Sequence, residues 1–197
     1  TDEPGKNEVL LRGDQLNSML HGAGIKQVWA TEWGWSSYAG PKEMQDLIGV
    51  DGQADYTLRR LALMASQDYQ KIFLFALSDL DERASVRDQH YGLLDLNGEP
   101  KPVYSALARF LEITGPTLKP GVTPVLEDVP KTFYSVAWTR EDGKHLLMYW
   151  SAEGTSITLP KVQRAELLDP LTGTRQALND YNGIRPVVKP SLQILVW

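Results

Sequence analysis

Glu32 stands where a short apolar run, Val28-Trp-Ala-Thr, gives way to Trp33-Gly34-Trp35-Ser-Ser-Tyr38. A carboxylate can attack an electrophilic carbon, move a proton or accept hydrogen bonds from hydroxyls. Trp33, Trp35 and Tyr38 add flat apolar faces, and the C–H faces of sugars pack on such rings. Gly34 lets the backbone turn sharply. This set of residue types suits cleavage of a glycosidic bond. It also fits a surface glutamate beside structural tryptophans, and the bare pattern leaves both readings open.

The next apolar run, Lys71 to Leu77, ends in Ser-Asp79-Leu-Asp81-Glu-Arg. At a shared cleft Asp79 and Asp81 would bond sugar hydroxyls. Asp and Ser are equally ordinary loop formers. Without further ligands at a recognised spacing they do not indicate a metal, and neither metal nor cofactor is expected. His90 and Tyr91 follow in Asp88-Gln-His-Tyr-Gly-Leu-Leu. They either reach the cleft or pack their loop against its rim. Asn7-Glu8 reads as structural, because Asn caps a helix and Glu suits its first turn. His21 and His145 receive no role. A Gly-rich phosphate loop, a Gly-x-Ser-x-Gly elbow and a His-Glu-x-x-His pair are all absent from the sequence.

The chain has 197 residues, a formal net charge of -5 and no cysteine. That length suits one domain or two small ones. With no Lys/Arg block, nucleic acid is a poor partner. No apolar run reaches the ~20 residues of a membrane span. The spacing of Val9, Leu16, Met19, Leu20 and Ala23 predicts a helix capped by Asn7 and stopped at Gly24. A strand follows over Ile25–Thr31, then a long loop from Glu32 to Gln53. A second helix is predicted over Asp55–Gln70, with Leu58, Leu61, Ala62, Ala65 and Tyr69 as its stripe. Lys71–Leu77 reads as a parallel strand buried on both faces. A third helix begins at Pro102 and ends before Gly115.

Prolines 116, 120, 124 and 130 then mark a linker-like stretch. Beyond it, Tyr134–Thr139 and His145–Ser151 form a hairpin signature around Asp142-Gly143. Ser156–Leu159, Ala165–Leu168, Pro186–Lys189 and Leu192–Trp197 complete an all-β set, read as a small antiparallel sandwich. The domains are therefore 1–115 and 116–197. The first is α-β-α-β-α, which argues for parallel strands with crossover helices. Two such strands cannot hide both edges. The expectation is a fragment, a cleaved product or one half of a complemented fold, with the missing sheet upstream.

These motifs resemble clan A glycoside hydrolases, the retaining (β/α)8-barrel enzymes. Thr31-Glu32-Trp33-Gly34-Trp35 is similar to their strand-seven nucleophile motif, and Lys71 to Asp79 to strand eight. His90-Tyr-Gly-Leu-Leu and Gly98-Glu-Pro-Lys-Pro-Val-Tyr-Ser-Ala-Leu resemble the family 39 approach to the last helix, and the β-rich tail fits that family too. The resemblance implies an α/β chain: the C-terminal part of a (β/α)8 TIM barrel followed by a small β-sandwich domain. It implies Glu32 as nucleophile, with Trp33, Trp35, Tyr38, Asp79, Asp81, His90 and Tyr91 around a polysaccharide substrate, in an exopolysaccharide endoglycosidase of the periplasm or exterior. The acid/base, which must stay protonated until the sugar leaves, would lie upstream, after strand four. The competing function is a carbohydrate-binding module that never cleaves.

Overall fold

The computed structural model describes residues 9–41 and 47–197, so the Asn7 cap and the reading of Glu8 lie outside the described residues. Helix α1 spans Val9–Gly22. It stops as the sequence predicts. The Gly24 N–H donates to the His21 carbonyl at 2.9 Å and the Ile25 N–H to that of Leu20 at 3.0 Å, the paired bonds of a Schellman motif with glycine at C′. Its apolar stripe is less buried than expected. Leu16 is 44% and Met19 64% exposed, whereas Asn17 is buried and donates to the Gln67 carbonyl.

Strand β1 covers Trp29–Trp33. It starts four residues after Ile25 and runs through Glu32, which therefore belongs to the strand rather than to the loop. Helix α2 is Gly49–Ala65, beginning earlier and ending sooner than predicted. The Ser66 hydroxyl bonds back to the Leu63 carbonyl at 2.6 Å and stops the helix, leaving Tyr69 outside it. Ala54, Leu58 and Ala62 are its buried row, with Leu61 and Ala65 half-buried on the flank. Strand β2, Lys71–Leu74, pairs with β1 in parallel.

β2 is not buried on both faces. Phe73 is 47% and Leu77 just beyond it 66% exposed, and Trp29 on β1 is 45% exposed. Among the described residues these two strands form a sheet of two. With no strand along the outer edges, side chains of core type face water, where burial would stabilise each by about 1.5–3 kcal/mol.

Helix α3, Pro102–Thr114, has the predicted proline start, and the Gly115 N–H closes it on the Leu111 carbonyl at 2.9 Å. The chain divides into two compact units, Thr1–Ser105 and Ala106–Trp197. The division falls inside α3, ahead of the change in composition at residues 115 and 116.

In the second unit, β3 (Leu118–Pro120), β4 (Phe133–Arg140), β5 (His145–Ser151), β7 (Arg164–Leu168), β8 (Arg175–Asn179) and β10 (Gln193–Val196) form one antiparallel sheet in the order β3-β4-β5-β10-β7-β8. β6 (Thr155–Ser156) and β9 (Val187–Val188) pair separately. The arrangement is a six-stranded sheet with a two-stranded ladder, where a sandwich of two sheets was expected. Leu147, Tyr149, Ile157, Leu159, Val162, Leu167, Ile184, Val188 and Leu195 are the core of this unit. The β4–β5 hairpin turns at Asp142-Gly143 as predicted. β3 and β8 were not predicted. Pro120 is tolerated because β3 is a sheet edge.

At the hairpin turn, Arg140 pairs with Asp142 and also donates to the Ile113 carbonyl at 2.9 Å. The Arg140 hydrogen bond, helped by the Lys144 backbone, lowers the Asp142 pKa from 3.8 to about 2. A lowered folded value stabilises above the unfolded pKa and is lost as pH falls through the folded one. Thermal midpoints of the wild type and Asp142→Asn should thus differ at pH 7 and converge as pH drops from 3.8 to about 2. A difference that persisted through that window would remove this account of the turn.

Candidate active site

The β1–β2 register contains the feature that sets the site. Trp29 pairs with Lys71 and Ala30 with Ile72, but the next pair is Trp33 with Leu74. β1 therefore takes one more residue than β2 over the same step, and the extra residue falls in Thr31-Glu32. Such a bulge re-aims side chains locally and is uncommon between parallel strands. Pairing resumes at once, with the Phe75 N–H donating to the Trp33 carbonyl at 2.8 Å. At Gly34 a Cβ would collide with the Phe75 carbonyl oxygen, so only glycine lets the two strands stay this close at their ends.

Glu32 is exposed and opens onto a cleft of about 420 Å³. Trp33 and Gly34 line it from the end of β1, and Phe75 from just past β2. Leu80, Ala84, Arg87, Asp88 and Tyr91 line it from the loop that follows. Phe75 and Tyr91 meet edge to face, with ring centroids 5.5 Å apart. Of the residues picked out in the sequence, the structure thus brings together Glu32, Trp33 and Tyr91.

Charge in the cleft is uneven. Burial pushes the Tyr91 phenol above its ordinary value, and the Asp88 and Glu32 carboxylates push it further against the opposing Arg87. Tyr91 is therefore an O–H donor at neutral pH, able to serve a carboxylate or a sugar oxygen. Asp88 is the second carboxylate among the described cleft residues. A Ser85 hydrogen bond, with the Arg87 guanidinium beside it, holds Asp88 below the usual carboxylate range. A general acid is served by the opposite shift.

The other five residues picked out in the sequence do not line this cleft. Trp35 is only 5% exposed and lies edge to face with Trp33 and Tyr56, under the Arg60 guanidinium at 5.2 Å. It is a packing residue and offers no face to a sugar. Tyr38 rests on the His90 ring at 5.6 Å, and neither lines the cleft. His90 serves its loop through its carbonyl, which accepts from the Ser37 N–H at 2.9 Å and from Lys101 at 3.1 Å. Asp79 accepts the Lys101 ammonium at 2.8 Å and the Gly92 N–H at 2.7 Å, so its carboxylate is committed internally. Asp81 pairs with Arg83 at 2.6 Å on the exposed loop.

Sequence reasoning missed two residues that hold the cleft together. The Lys101 ammonium bonds Ser37, Asp79 and the His90 carbonyl, tying the loop after β1 to the loop after β2. Gln53, on α2, donates to the Trp35 carbonyl at 2.9 Å and to that of Tyr91 at 3.2 Å. Gln53 was the last residue of the predicted loop, and neither residue carried a signal in the sequence. No group of three or more His, Asp or Glu that could hold a metal occurs among the described residues.

With this geometry in hand, comparison with known proteins is informative at the level of fold. No protein-family model matches the sequence, and no curated protein matches it. Solved structures do. A family 39 glycoside hydrolase from the gut symbiont Bacteroides cellulosilyticus aligns with a TM-score of 0.70 at 20% identity, over 93% of this chain and 37% of its own. A GH51 α-L-arabinofuranosidase from Thermotoga petrophila aligns with a TM-score of 0.59 at 13% identity, over 96% and 47%. The GH30 xylanase C catalytic domain from Talaromyces cellulolyticus gives 0.55 at 13%, over 91% and 48%. At these identities the likeness is one of fold: the chain has the fold of part of these enzymes, with helices, a parallel pair of strands and an antiparallel sheet. It spans less than half the length of each of these enzymes.

Proposed function

We propose that this chain supplies the nucleophile and part of the cleft of a retaining glycoside hydrolase that cleaves a polysaccharide. The observation that carries the reading is Glu32, set on a bulge at the C-terminal end of a parallel strand and opening onto a cleft with Trp33 and Tyr91. The strand end is where barrel enzymes gather their reacting groups. In the first step a Glu32 oxygen bonds to the anomeric carbon as the glycosidic C–O bond breaks, and an acid protonates the departing oxygen. In the second, the same group as base takes a proton from water, whose oxygen displaces Glu32.

The proton must come from a carboxyl about 5–5.5 Å from Glu32. The downward shift at Asp88 runs against that role, which supports an acid/base outside the described residues. An upstream stretch carrying the remaining β/α units would supply it, cover Trp29 and Phe73, and make this chain a piece of a larger enzyme. The family 39 resemblance supports an exopolysaccharide cut internally, in the periplasm or outside the cell. The burial of Trp35 removes one of the three rings on which a purely sugar-binding role would stand.

The direct test is covalent trapping. Aryl 2-deoxy-2-fluoroglycosides of glucose, xylose and galactose should stall the whole enzyme as a glycosyl ester, and peptide mapping should find the label on Glu32. A label on any other residue rejects the assignment.

A further inference from the structure

We propose that the β unit carries a second polysaccharide-binding site, centred on Tyr181 and built from residues none of which lines the Glu32 cleft. Tyr181 is 85% exposed, and the backbone that carries it is held in place. The turn that carries it is tied by the Asn182 N–H to the Asp180 carboxylate at 2.8 Å, and by the Asp180 N–H to the Gln163 carbonyl at 2.9 Å. The Gln163 amide donates to the Tyr181 carbonyl at 3.2 Å. Gly183, at φ +99, lies so close to the Leu159 and Pro160 backbone that no Cβ fits. Ile184, next along, is 1% exposed and donates its N–H to the Val162 carbonyl at 2.9 Å. An aromatic ring held out on a rigid turn loses little conformational freedom when a ligand packs on it.

Beside the ring is a groove of about 460 Å³, lined by Gln163, Arg164, Asn179 and Asp180. Arg164 and Asn179 are register partners on β7 and β8, so the β sheet itself sets their spacing. Amide, guanidinium and carboxylate groups together offer both donors and acceptors. A row of sugar hydroxyls, each both donor and acceptor, needs that mixture, and the Tyr181 ring supplies a face for the C–H side of a pyranose or furanose. A peptide would seek apolar anchor pockets, and this lining has no aliphatic side chain. Nucleic acid would meet Asp180 and a chain of formal net charge -5. The choice of a polysaccharide among hydroxyl-rich polymers rests on the glycosidase reading.

The test is affinity electrophoresis of the full chain through gels cast with arabinoxylan, β-1,6-glucan or alginate. The wild type and Glu32→Gln should be retarded alike by at least one polymer. Tyr181→Ala, with an unchanged thermal midpoint, should bind at least about tenfold more weakly. Asn179→Ala should weaken retention in the same gel. Equal retardation of Tyr181→Ala and wild type, or no retardation of the wild type in any gel, overturns the site. Covalent labelling of Glu32 does not depend on these gels, so failure here leaves the glycosidase reading intact, and failure there leaves the Tyr181 result interpretable.

Discussion

On the nucleophile role proposed for it, Glu32→Gln should lower kcat by about 10⁴-fold or more while changing KM little. The amide keeps the size and hydrogen-bonding outline of the carboxylate, so ground-state binding survives. It cannot form the glycosyl ester, and a factor of 10⁴ corresponds to about 5.5 kcal/mol of lost transition-state stabilisation. Stability should hardly move, because Glu32 is exposed and substitutions at exposed sites usually stay within about 0.5 kcal/mol. A steady-state assay together with a melting curve separates the two effects. Activity near the wild-type level would remove Glu32 from the chemistry, whatever the cleft binds.

Lys101→Met should destabilise the chain by about 3–5 kcal/mol, the usual cost of removing one partner of a buried ion pair. Lys101 and Asp79 have side chains only 9% and 10% exposed. Without the ammonium, the Asp79 carboxylate remains in the interior with the Gly92 N–H as its recorded bond. The thermal midpoint should fall by roughly 2–4 °C for each kcal/mol in a chain of this size. Adding Asp79→Asn should restore part of the loss, because the stranded charge is then gone. Arg83→Met breaks an ion pair at a surface where Arg83 is 88% exposed, and it should leave the midpoint unchanged. Equal shifts in the two single variants would show that Lys101 does not hold the loops in the manner described.

Why some of this could be read from the sequence and some could not follows from the range of each signal. The α1 stop at Gly24 and the α3 start at Pro102 are local: a glycine with positive φ and a proline with a fixed φ act through their own backbone. The place of Glu32 near the end of a strand was legible for the same reason, from the glycine and aromatic residues that follow it. Trp35 shared that pattern and was misjudged, because nothing nearby in sequence reveals Tyr56 and Arg60 closing over its ring. Lys101 stood in Gly98-Glu-Pro-Lys-Pro with nothing to mark it, and its partners at positions 37, 79 and 90 lie far away along the chain. The helical period located α2 but not its ends, since Ser66 halts it through a side-chain bond that propensity does not encode. β8, Arg-Gln-Ala-Leu-Asn, lacks the β-branched residues that mark strands and exists by pairing with β7.

The one-residue slip between Ala30 and Trp33 concentrates the geometry of the site in a single position. Trp33 faces Leu74 with or without the extra residue, so deleting Thr31 would leave Glu32 alone opposite Phe73 in an unbroken ladder, with the register on either side unchanged. The angle at which Glu32 leaves the strand would change while its neighbours keep their pairing, so that angle is adjustable by one residue without rebuilding the sheet.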